Sequence, residues 1–329
     1  MKSIPSAERL RYSPIPLAEV LAAQERTKDI VLCTPLVRLD YDDAPCQIYL
    51  KLECLQPIRS FKLRGASNAM LKAGREALAA GVWTGSAGNM AQGVAWAARE
   101  LGVACTVYVP NTAPRNKIES VKRYGGKVVE LPVDEWVDIF RTRGRPGAEG
   151  VFIHPYSDPA VMAGNAVIGL EILEDLPDVD AVIVPWGGGG LCCGIASAIK
   201  ALKPDCKLYT CEVDTGAPLA PSLAQGHPVE VPFAPNFVDG IGSPFVNQEM
   251  FDLALQLIDG SLVVNTTQIA EALRMIVERN RAVPEGAGAV ATAAAMAGMA
   301  GSGKVVCLVS GGNIDTKALV KLLEGGEPT

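Results

Sequence analysis

The chain has 329 residues, of which 49% are apolar and 20% charged, and this balance predicts a folded protein of about two domains. Its net charge is −6, and no basic stripe is interleaved with aromatic residues, which argues against nucleic acid as a partner. A small molecule is the expected ligand.

The cysteines and the apolar stretches indicate where the protein works. Nine scattered cysteines form no CxxC pair, so neither a disulfide framework nor a zinc site is expected. Residues 1–8 lack the apolar core of a signal peptide. Residues 286–303 are mostly Ala and Gly, which predicts a tightly packed buried helix instead of a membrane span. We therefore expect a cytoplasmic protein with no membrane partner.

Apolar residues recur with strand and helix periods in alternation along the chain. A helix is predicted at 15–29, and an extended segment begins at 34–36. A further helix follows the strand-like alternation that leads into residue 56. Strands are then predicted at 81–84, 104–109, 127–131, 181–184, 207–213 and 304–309. Helices are predicted at 90–101, 115–124, 161–173 and 191–202, from residue 266, and at 315–323. The stretch 218–244, rich in Pro, Asn and Gly, is predicted to be the one long irregular segment.

This alternation predicts an α/β fold with two open, mostly parallel twisted sheets that carry helices on both faces. Residues 80–155 are predicted to form a small, mobile domain on the substrate side. Residues 1–79 and 156–329 are predicted to form a large domain that binds a cofactor. A cleft would separate the two.

A lysine stands at a predicted turn from strand to helix. Pro57 ends the strand, so Ser60, Phe61 and Lys62 fall at the start of the next helix. A lysine that is desolvated there can lose its proton and attack an aldehyde. Taken alone, the segment has a simpler interpretation, because most lysines lie on the solvated face of a helix.

A run of four glycines follows the strand predicted at 181–184 and leads into a helix. The glycines let the backbone approach a ligand, and their amides together with the helix N-terminus can hold a phosphate. The run matches neither GxGxxG nor GxxxxGK[ST], so a dinucleotide or a Walker-type ATP site is disfavoured. A flexible linker is the alternative, but the run lies directly between a buried strand and a helix. We therefore predict a phosphate site.

Two further turns carry polar side chains. Ser86 and Asn89 precede a predicted helix, and with the first amides of that helix they can bind a carboxylate. Ser310 lies at the end of the last predicted strand. Either serine alone would more often be a helix cap. An amine, a phosphate cradle, a carboxylate loop and a polar strand end together suit pyridoxal phosphate, which carries an aldehyde and a phosphate.

These segments resemble, in order, the motifs of the fold type II (tryptophan synthase β-like) pyridoxal-phosphate enzymes, the group that contains threonine/serine dehydratases and serine racemase. The motifs are SFKLRGA at 60–66, SAGN at 86–89, GGGGL at 187–191, PEGAG at 284–288 and SGGN at 310–313. The resemblance covers residues 15 to 325. It is to a short form without a C-terminal regulatory domain, so we expect no inhibition by isoleucine.

The resemblance implies a role for each motif. Lys62 would bind the cofactor aldehyde, Phe61 would lie against the ring, and Ser310 would face the pyridine nitrogen. Asn89 would lie near the phenolic oxygen and Glu285 near the cofactor. The phosphate would be bound by Gly187, Gly188, Gly189, Gly190 and Leu191. The substrate would be bound by Ser86, Ala87, Gly88, Asn89, Met90 and Gly240. The catalytic residues would be Lys62, Ser86 and Glu285.

The resemblance also implies an activity. A dehydratase (ammonia-lyase) of this family converts a small β-hydroxy amino acid, here L-threonine or L-serine, to a 2-oxo acid and ammonia. Other β-hydroxy amino acids are alternative substrates: phenylserine, 3-hydroxyaspartate or a hydroxyectoine-derived acid. The alternative activities are amino acid racemisation, a sulfur-metabolism synthase reaction, and cofactor binding without turnover. A homodimer is expected from the likeness alone.

Several positions depart from the family pattern. Arg59 precedes Ser60 where the family usually has Gly. Serine racemases carry a Ser where Ala87 stands, so little racemisation is expected, because a methyl group cannot transfer a proton. The family's cation site resembles this chain at Glu212, but Pro218 stands where a second carboxylate would be expected. We therefore predict no metal.

Overall fold

A computed structural model describes residues 12–41 and 43–326, in which ten strands and twelve α-helices occur. The strands are β1 (Leu36–Arg38), β2 (Gln47–Lys51), β3 (Val82–Gly85), β4 (Cys105–Pro110), β5 (Lys127–Leu131), β6 (Val151–Phe152), β7 (Ala181–Pro185), β8 (Lys207–Val213), β9 (Gly260–Val264) and β10 (Lys304–Leu308). The helices are α1 (Leu17–Thr27), α2 (Lys62–Ala77), α3 (Asn89–Glu100), α4 (Arg115–Arg123), α5 (Val133–Thr142), α6 (Pro159–Asp175), α7 (Gly190–Leu202), α8 (Leu219–Gln225), α9 (Gln248–Leu257), α10 (Thr266–Met275), α11 (Gly286–Met296) and α12 (Thr316–Leu323).

The strands form two sheets. The six-stranded sheet has the order β1-β2-β10-β7-β8-β9, and every pairing in it is parallel except that of β1 with β2. The four-stranded sheet has the order β5-β4-β3-β6 and is parallel throughout. The predicted α/β class with mostly parallel sheets is confirmed.

Helices cover both faces of the six-stranded sheet. All five residues of the central strand β7 are buried, as is typical of a parallel strand covered on both sides. Val182 and Val184 belong to the core that contains α6 and α7, whereas Ala181 and Ile183 belong to the core that contains α10 and α11. The alternation along one strand therefore places successive side chains in two separate hydrophobic cores.

The sequence pattern did not predict five elements, namely α5, β6, α8, α9 and β9. The irregularity predicted for the whole of 218–244 is wrong, because α8 lies inside it. This helix has seven residues and depends on a distant side chain: the Glu212 carboxylate accepts hydrogen bonds from the Leu219 and Ala220 amides. A local pattern does not carry such a cap.

The four strands of the smaller sheet lie between residues 82 and 152. Its core lies chiefly between α2, α3 and strands β3 and β4. The division into a mobile domain at 80–155 and a large domain of 1–79 with 156–329 stays a prediction. No helix among the described residues is long and apolar enough to cross a membrane.

A cluster of buried charges joins α2 to β2 and α6. Arg64 Nε and Nη2 donate to the two oxygens of Glu53, at 2.8 Å each. Its Nη1 donates to Glu171 Oε1 at 2.6 Å, and Lys51 Nζ lies 2.8 Å from Glu171 Oε2. The Arg64, Glu53 and Lys51 side chains are fully buried. Because each charge has an opposite partner, the cluster fixes the position of α2 relative to β2 and α6.

Removal of one member should be strongly destabilising. We expect Arg64→Leu to lower the free energy of unfolding by about 3–5 kcal/mol, because Glu53 and Glu171 would lose their shared buried partner. Urea denaturation of the variant and the wild type measures this change. The matched control is Arg141→Leu, whose side chain is 71% exposed and pairs with Asp138 on the surface of α5, and it should change stability much less. Equal losses in the two variants would contradict this account of the cluster.

Candidate active site

Lys62 is the first residue of α2, and the segment before it is hydrogen-bonded to the end of β10. The Phe61 N–H donates to Ser310 O at 3.0 Å, and the Gly312 N–H donates to Arg59 O at 2.8 Å. Arg59 has a φ of 61°, which turns the chain into this pairing. That conformation is unfavourable for a residue with a side chain and explains why a glycine suits this position. The Arg59 side chain is exposed.

The Lys62 side chain is half-buried, and its amine is hydrogen-bonded to the backbone. Its Nζ donates to the carbonyl oxygen of Pro155 at 2.6 Å and lies 5.0 Å from the centroid of the Phe61 ring. Burial lowers the pKa of Lys62 from 10.5 to about 8. A sizeable fraction of the amine is therefore neutral and nucleophilic near pH 8. This is the state that the sequence predicted for a reactive lysine.

The glycine turn follows β7 and ends at the N-terminus of α7. Gly189 has a φ of 87°, and no side chain caps the helix. A Cβ atom on Gly188 would lie 2.2 Å from Cγ of the Tyr156 ring, and one on Gly190 would lie 2.2 Å from the Tyr156 carbonyl oxygen. The backbone is thus pressed against Tyr156, which leaves room for glycine only. The first amides of α7, including that of Leu191, have no acceptor within the helix and suit a phosphate.

Asn89 connects the loop after β3 with residues beside the larger sheet. It is the first residue of α3, after a turn in which Ser86 Oγ accepts the Gly88 N–H at 3.2 Å. Asn89 Nδ2 donates to Glu285 Oε1 at 2.7 Å, and Asn89 Oδ1 accepts from Asn313 Nδ2 at 2.8 Å. The loop of the smaller sheet is thereby bound directly to residues beside the larger one.

Glu285 is buried directly before α11. Burial, and then the charge of Asp239, raise the pKa of Glu285 from 4.5 to about 7, although hydrogen bonds from Asn89 and Asn313 and the charge of Lys117 oppose the rise. Lys117 on α4 forms an ion pair with Asp239. A carboxyl group with a pKa near 7 can exist in either protonation state at neutral pH, which suits a residue beside proton-transfer chemistry.

The raised pKa of Glu285 should appear in the pH dependence of stability. Between pH 4.5 and about 7 the folded apoprotein holds a proton that the unfolded chain has lost, so the stability contributed by Glu285 should fall as the pH rises through this window. Urea denaturation at several pH values, with Glu285→Gln beside the wild type, measures the difference. The variant should lose this part of the slope. Parallel stability curves for the two proteins would contradict the shift.

The other residues predicted for the site lie around these groups. Gly240 faces Glu285, because a Cβ atom built on it would lie 3.6 Å from Glu285 Oε1. Ser310 is buried at the end of β10, with its Oγ 3.5 Å from the Ala287 carbonyl oxygen. The Met90 side chain is buried in the core of the smaller sheet, so only its backbone is available to a substrate. Ala87 is half-buried against the same core.

Glu212, which resembles a cation ligand in sequence, has both oxygens occupied. Leu219 N–H donates to Oε1 at 2.8 Å, and Ala220 N–H and Ser261 Oγ donate to Oε2 at 2.9 and 2.8 Å. Burial raises the pKa of Glu212. Within residues 12–41 and 43–326, no group of three or more His, Cys, Asp and Glu side chains is placed to hold a metal ion.

Sequence reasoning missed three contributors to the site. Pro155 supplies the acceptor for Lys62, Tyr156 packs against the glycine turn, and the Asn313 side chain holds Asn89. Asn313 was within a recognised motif but had no assigned role. Pro155 and Tyr156 follow β6, a two-residue strand too short to be detected by period.

The residues present fit pyridoxal phosphate. A desolvated amine of lowered pKa suits the aldehyde, and the uncapped glycine turn suits the phosphate. Phe61 offers an aromatic face, and Asn89 and Ser310 offer neutral polar groups at the same edge. The fold and the site thus define an enzyme that uses this cofactor.

Comparison with known proteins leads to the same class. The model of the family described as "Pyridoxal-phosphate dependent enzyme" matches residues 28–311, and the chain belongs to this family. Pyridoxal phosphate is therefore its cofactor. The chain is 37% identical over 318 residues to the L-threonine ammonia-lyase of Thermotoga maritima, an alignment that covers 95% of this chain and 79% of that protein.

Two solved structures are similar over nearly the whole chain. The structure of maize serine racemase has a TM-score of 0.86 and 31% identity, with 95% of this chain and 98% of that chain covered. The processed form of threonine deaminase isoform 2 from Solanum lycopersicum has a TM-score of 0.84 and 33% identity, with 98% of each chain covered. One of these structures is a racemase and the other is a deaminase, so similarity of fold does not distinguish the two activities.

Proposed function

We propose that the protein is a pyridoxal-phosphate-dependent dehydratase (ammonia-lyase) that converts L-threonine or L-serine to a 2-oxo acid and ammonia. The observation that carries the proposal is the half-buried Lys62 amine, which donates to Pro155 O and whose pKa is lowered to about 8. The names of the relatives support it, since two proteins 37% and 39% identical to this chain are L-threonine ammonia-lyases.

Five groups of this chain would hold the cofactor. Bound pyridoxal phosphate supplies an electron sink that acidifies the Cα–H of an attached amino acid. The backbone amides of residues 187–191 would bind its phosphate, and Phe61 would pack against its ring. Asn89 Nδ2 would donate to the phenolic oxygen, and Ser310 Oγ would meet the pyridine nitrogen. Lys62 Nζ would hold the aldehyde carbon.

Lys62 would also move the proton. Once the substrate amine had displaced it, Lys62 Nζ would be a free base able to accept the proton from Cα. Burial favours the neutral form of the Lys62 amine, which is the form that can accept a proton. The β-hydroxyl would leave as water with the equivalent of the proton taken from Cα, and hydrolysis of the resulting enamine would give the 2-oxo acid and ammonia.

The substrate would lie between Ser86 and Gly240. The Ser86 hydroxyl and the first amides of α3 belong to the same turn and would bind the substrate carboxylate. Glu285 accepts a hydrogen bond from Asn89 of this turn. Its raised pKa would suit a group that donates a proton to the departing hydroxyl. Ser310 supports elimination because a neutral hydroxyl cannot keep the pyridine nitrogen protonated as a carboxylate can.

Racemisation is the second candidate, because the similar maize structure is a serine racemase. A racemase needs a second acid–base group on the face of the cofactor opposite the lysine. The residue after Ser86 is Ala87, whose methyl group cannot serve. This substitution favours the dehydratase.

We further propose that the protein works in the cytoplasm as a homodimer with a mobile substrate-side domain at residues 80–155. All nine cysteines are free thiols, seven of them buried, which suits a reducing compartment. The homodimer rests on the likeness to the family. The separate four-stranded sheet within residues 82–152 supports the domain division.

Replacement of Lys62 tests the proposed function directly. We expect the wild type to show the absorbance of lysine-bound cofactor at the short-wavelength end of the visible range. We also expect it to form 2-oxo acid from L-threonine or L-serine. Lys62→Ala should lose this absorbance and about 10²–10⁴-fold or more of the rate, because both the cofactor link and the base are removed. The matched control is Lys72→Ala on the same helix, where the side chain is 44% exposed and pairs with Glu19. It should keep both properties.

The same preparation decides between the alternatives. A panel with phenylserine, 3-hydroxyaspartate and a hydroxyectoine-derived acid, ranked by kcat/KM, identifies the preferred side chain. Chiral chromatography early in the reaction measures D-serine, which should be a minor product. A wild type that binds pyridoxal phosphate but forms mainly D-serine would make the protein a racemase. One that never acquires the absorbance would contradict the proposal altogether.

A further inference from the structure

The Asn89 carboxamide lies between two partners with opposite requirements. Its Nδ2 donates to Glu285 Oε1 at 2.7 Å, and its Oδ1 accepts from Asn313 Nδ2 at 2.8 Å. A carboxamide has one donor end and one acceptor end, so such a pair of partners permits only one orientation of the group. Rotation of the amide by 180° would place oxygen against the carboxylate and NH₂ against NH₂.

The orientation of Asn313 itself follows from a backbone carbonyl. Asn313 Nδ2 also donates to Ile58 O at 2.9 Å. Because a carbonyl oxygen can only accept, the NH₂ end of Asn313 must face it, and the same NH₂ group then serves Asn89. The backbone N–H of Asn313 also favours the ionised form of the Glu285 carboxylate. Asn313 therefore acts both on Asn89 and on Glu285, the other partner of Asn89.

The absence of a side chain at Gly311 leaves the space that the Asn89–Glu285 hydrogen bond occupies. A Cβ atom on Gly311 would lie 2.3 Å from Glu285 Oε1 and 3.3 Å from Asn89 Nδ2. The backbone at 311 thus lies directly against the hydrogen bond between the two side chains, and any larger residue would push them apart. Glu285 is tied to the same backbone, because its N–H donates to Gly311 O at 2.9 Å.

One hydrogen of Asn89 is left over. Its NH₂ group carries two hydrogens, and in the part of the chain that the structure describes Glu285 is its one acceptor. The second hydrogen is therefore free to donate to a ligand. In the proposed function that ligand atom is the phenolic oxygen of pyridoxal phosphate, an acceptor. An inverted Asn89 would present its own oxygen to that atom, and the two acceptors would repel each other.

We propose that Asn313 is a positioning residue that sets the orientation of the Asn89 carboxamide and so keeps its NH₂ group directed at the cofactor. The proposal rests on the proposed role of Asn89. Asn313 acts only through Asn89 and meets neither the cofactor nor the substrate. The hydrogen bond from Asn89 favours the ionised form of Glu285, which is the form that can only accept from Asn89 Nδ2.

The test is a double-mutant cycle read by cofactor binding. Apoprotein is titrated with pyridoxal phosphate, and both the Kd and the absorption maximum of the bound cofactor are recorded without substrate. Asn313→Asp replaces the donor NH₂ by an acceptor at unchanged size. We expect it to raise Kd about tenfold and to shift the absorption maximum, because Asn89 would turn its NH₂ group toward the new carboxylate.

The coupling decides how Asn313 acts. In an Asn89→Ala background, Asn313→Asp should change Kd and the absorption maximum no further, since the group that it orients is gone. Asn280→Asp is the matched control, because Asn280 Nδ2 also donates to a backbone carbonyl, that of Arg38 at 3.0 Å, but has no bond to Asn89. It should leave both readouts unchanged. Urea denaturation of each apoprotein measures any general loss of stability separately.

Three outcomes would overturn the proposal. Additive effects of the two substitutions would show that Asn313 acts independently of Asn89. An unchanged Kd and absorption maximum in Asn313→Asp would show that it does not orient Asn89, even if the wild type forms 2-oxo acid as proposed. Failure of the wild type to bind pyridoxal phosphate would remove the proposed function and this role together, before any variant is compared.

Discussion

The site depends on one piece of backbone pairing, between the residues before Lys62 and the residues that follow β10. Two hydrogen bonds, from Phe61 N–H to Ser310 O and from Gly312 N–H to Arg59 O, hold these segments together. The pairing places the reactive amine, the Ser310 hydroxyl and the Asn313 amide at one edge of the larger sheet. Its cost is the left-handed conformation of Arg59, at φ 61°, which a side chain makes unfavourable by about 1–2 kcal/mol.

The buried charges fix the other side of the same segment. Arg64 lies two residues after Lys62 and is held by Glu53 and Glu171. Buried ion pairs contribute little net stability compared with apolar groups, but they tolerate no change of register. With backbone pairing before Lys62 and charge pairing after it, the amine is confined beside Pro155. Desolvation at this position lowers the pKa of Lys62 to about 8.

Much of the fold was predictable because it follows from period and local chemistry. The apolar strand β7, the glycines after it and the helix α7 are consecutive in sequence, so the phosphate cradle could be predicted from one stretch. Contacts between distant residues could not. Lys62 meets Pro155 across 93 residues, and Asn313 meets Asn89 across 224, and neither pairing leaves a local pattern. Resemblance placed Asn89 and Glu285 near the cofactor, but only the structure shows them bonded to each other.

The most direct test of whether Lys62 binds the cofactor is to locate pyridoxal phosphate on the chain. Wild-type protein loaded with pyridoxal phosphate is reduced with borohydride, digested and analysed by peptide mass spectrometry. We expect a single phosphopyridoxyl group, on the peptide that contains Lys62, because this amine is desolvated and its pKa is lowered to about 8. The same group on exposed lysines, with Lys62 unmodified, would contradict it.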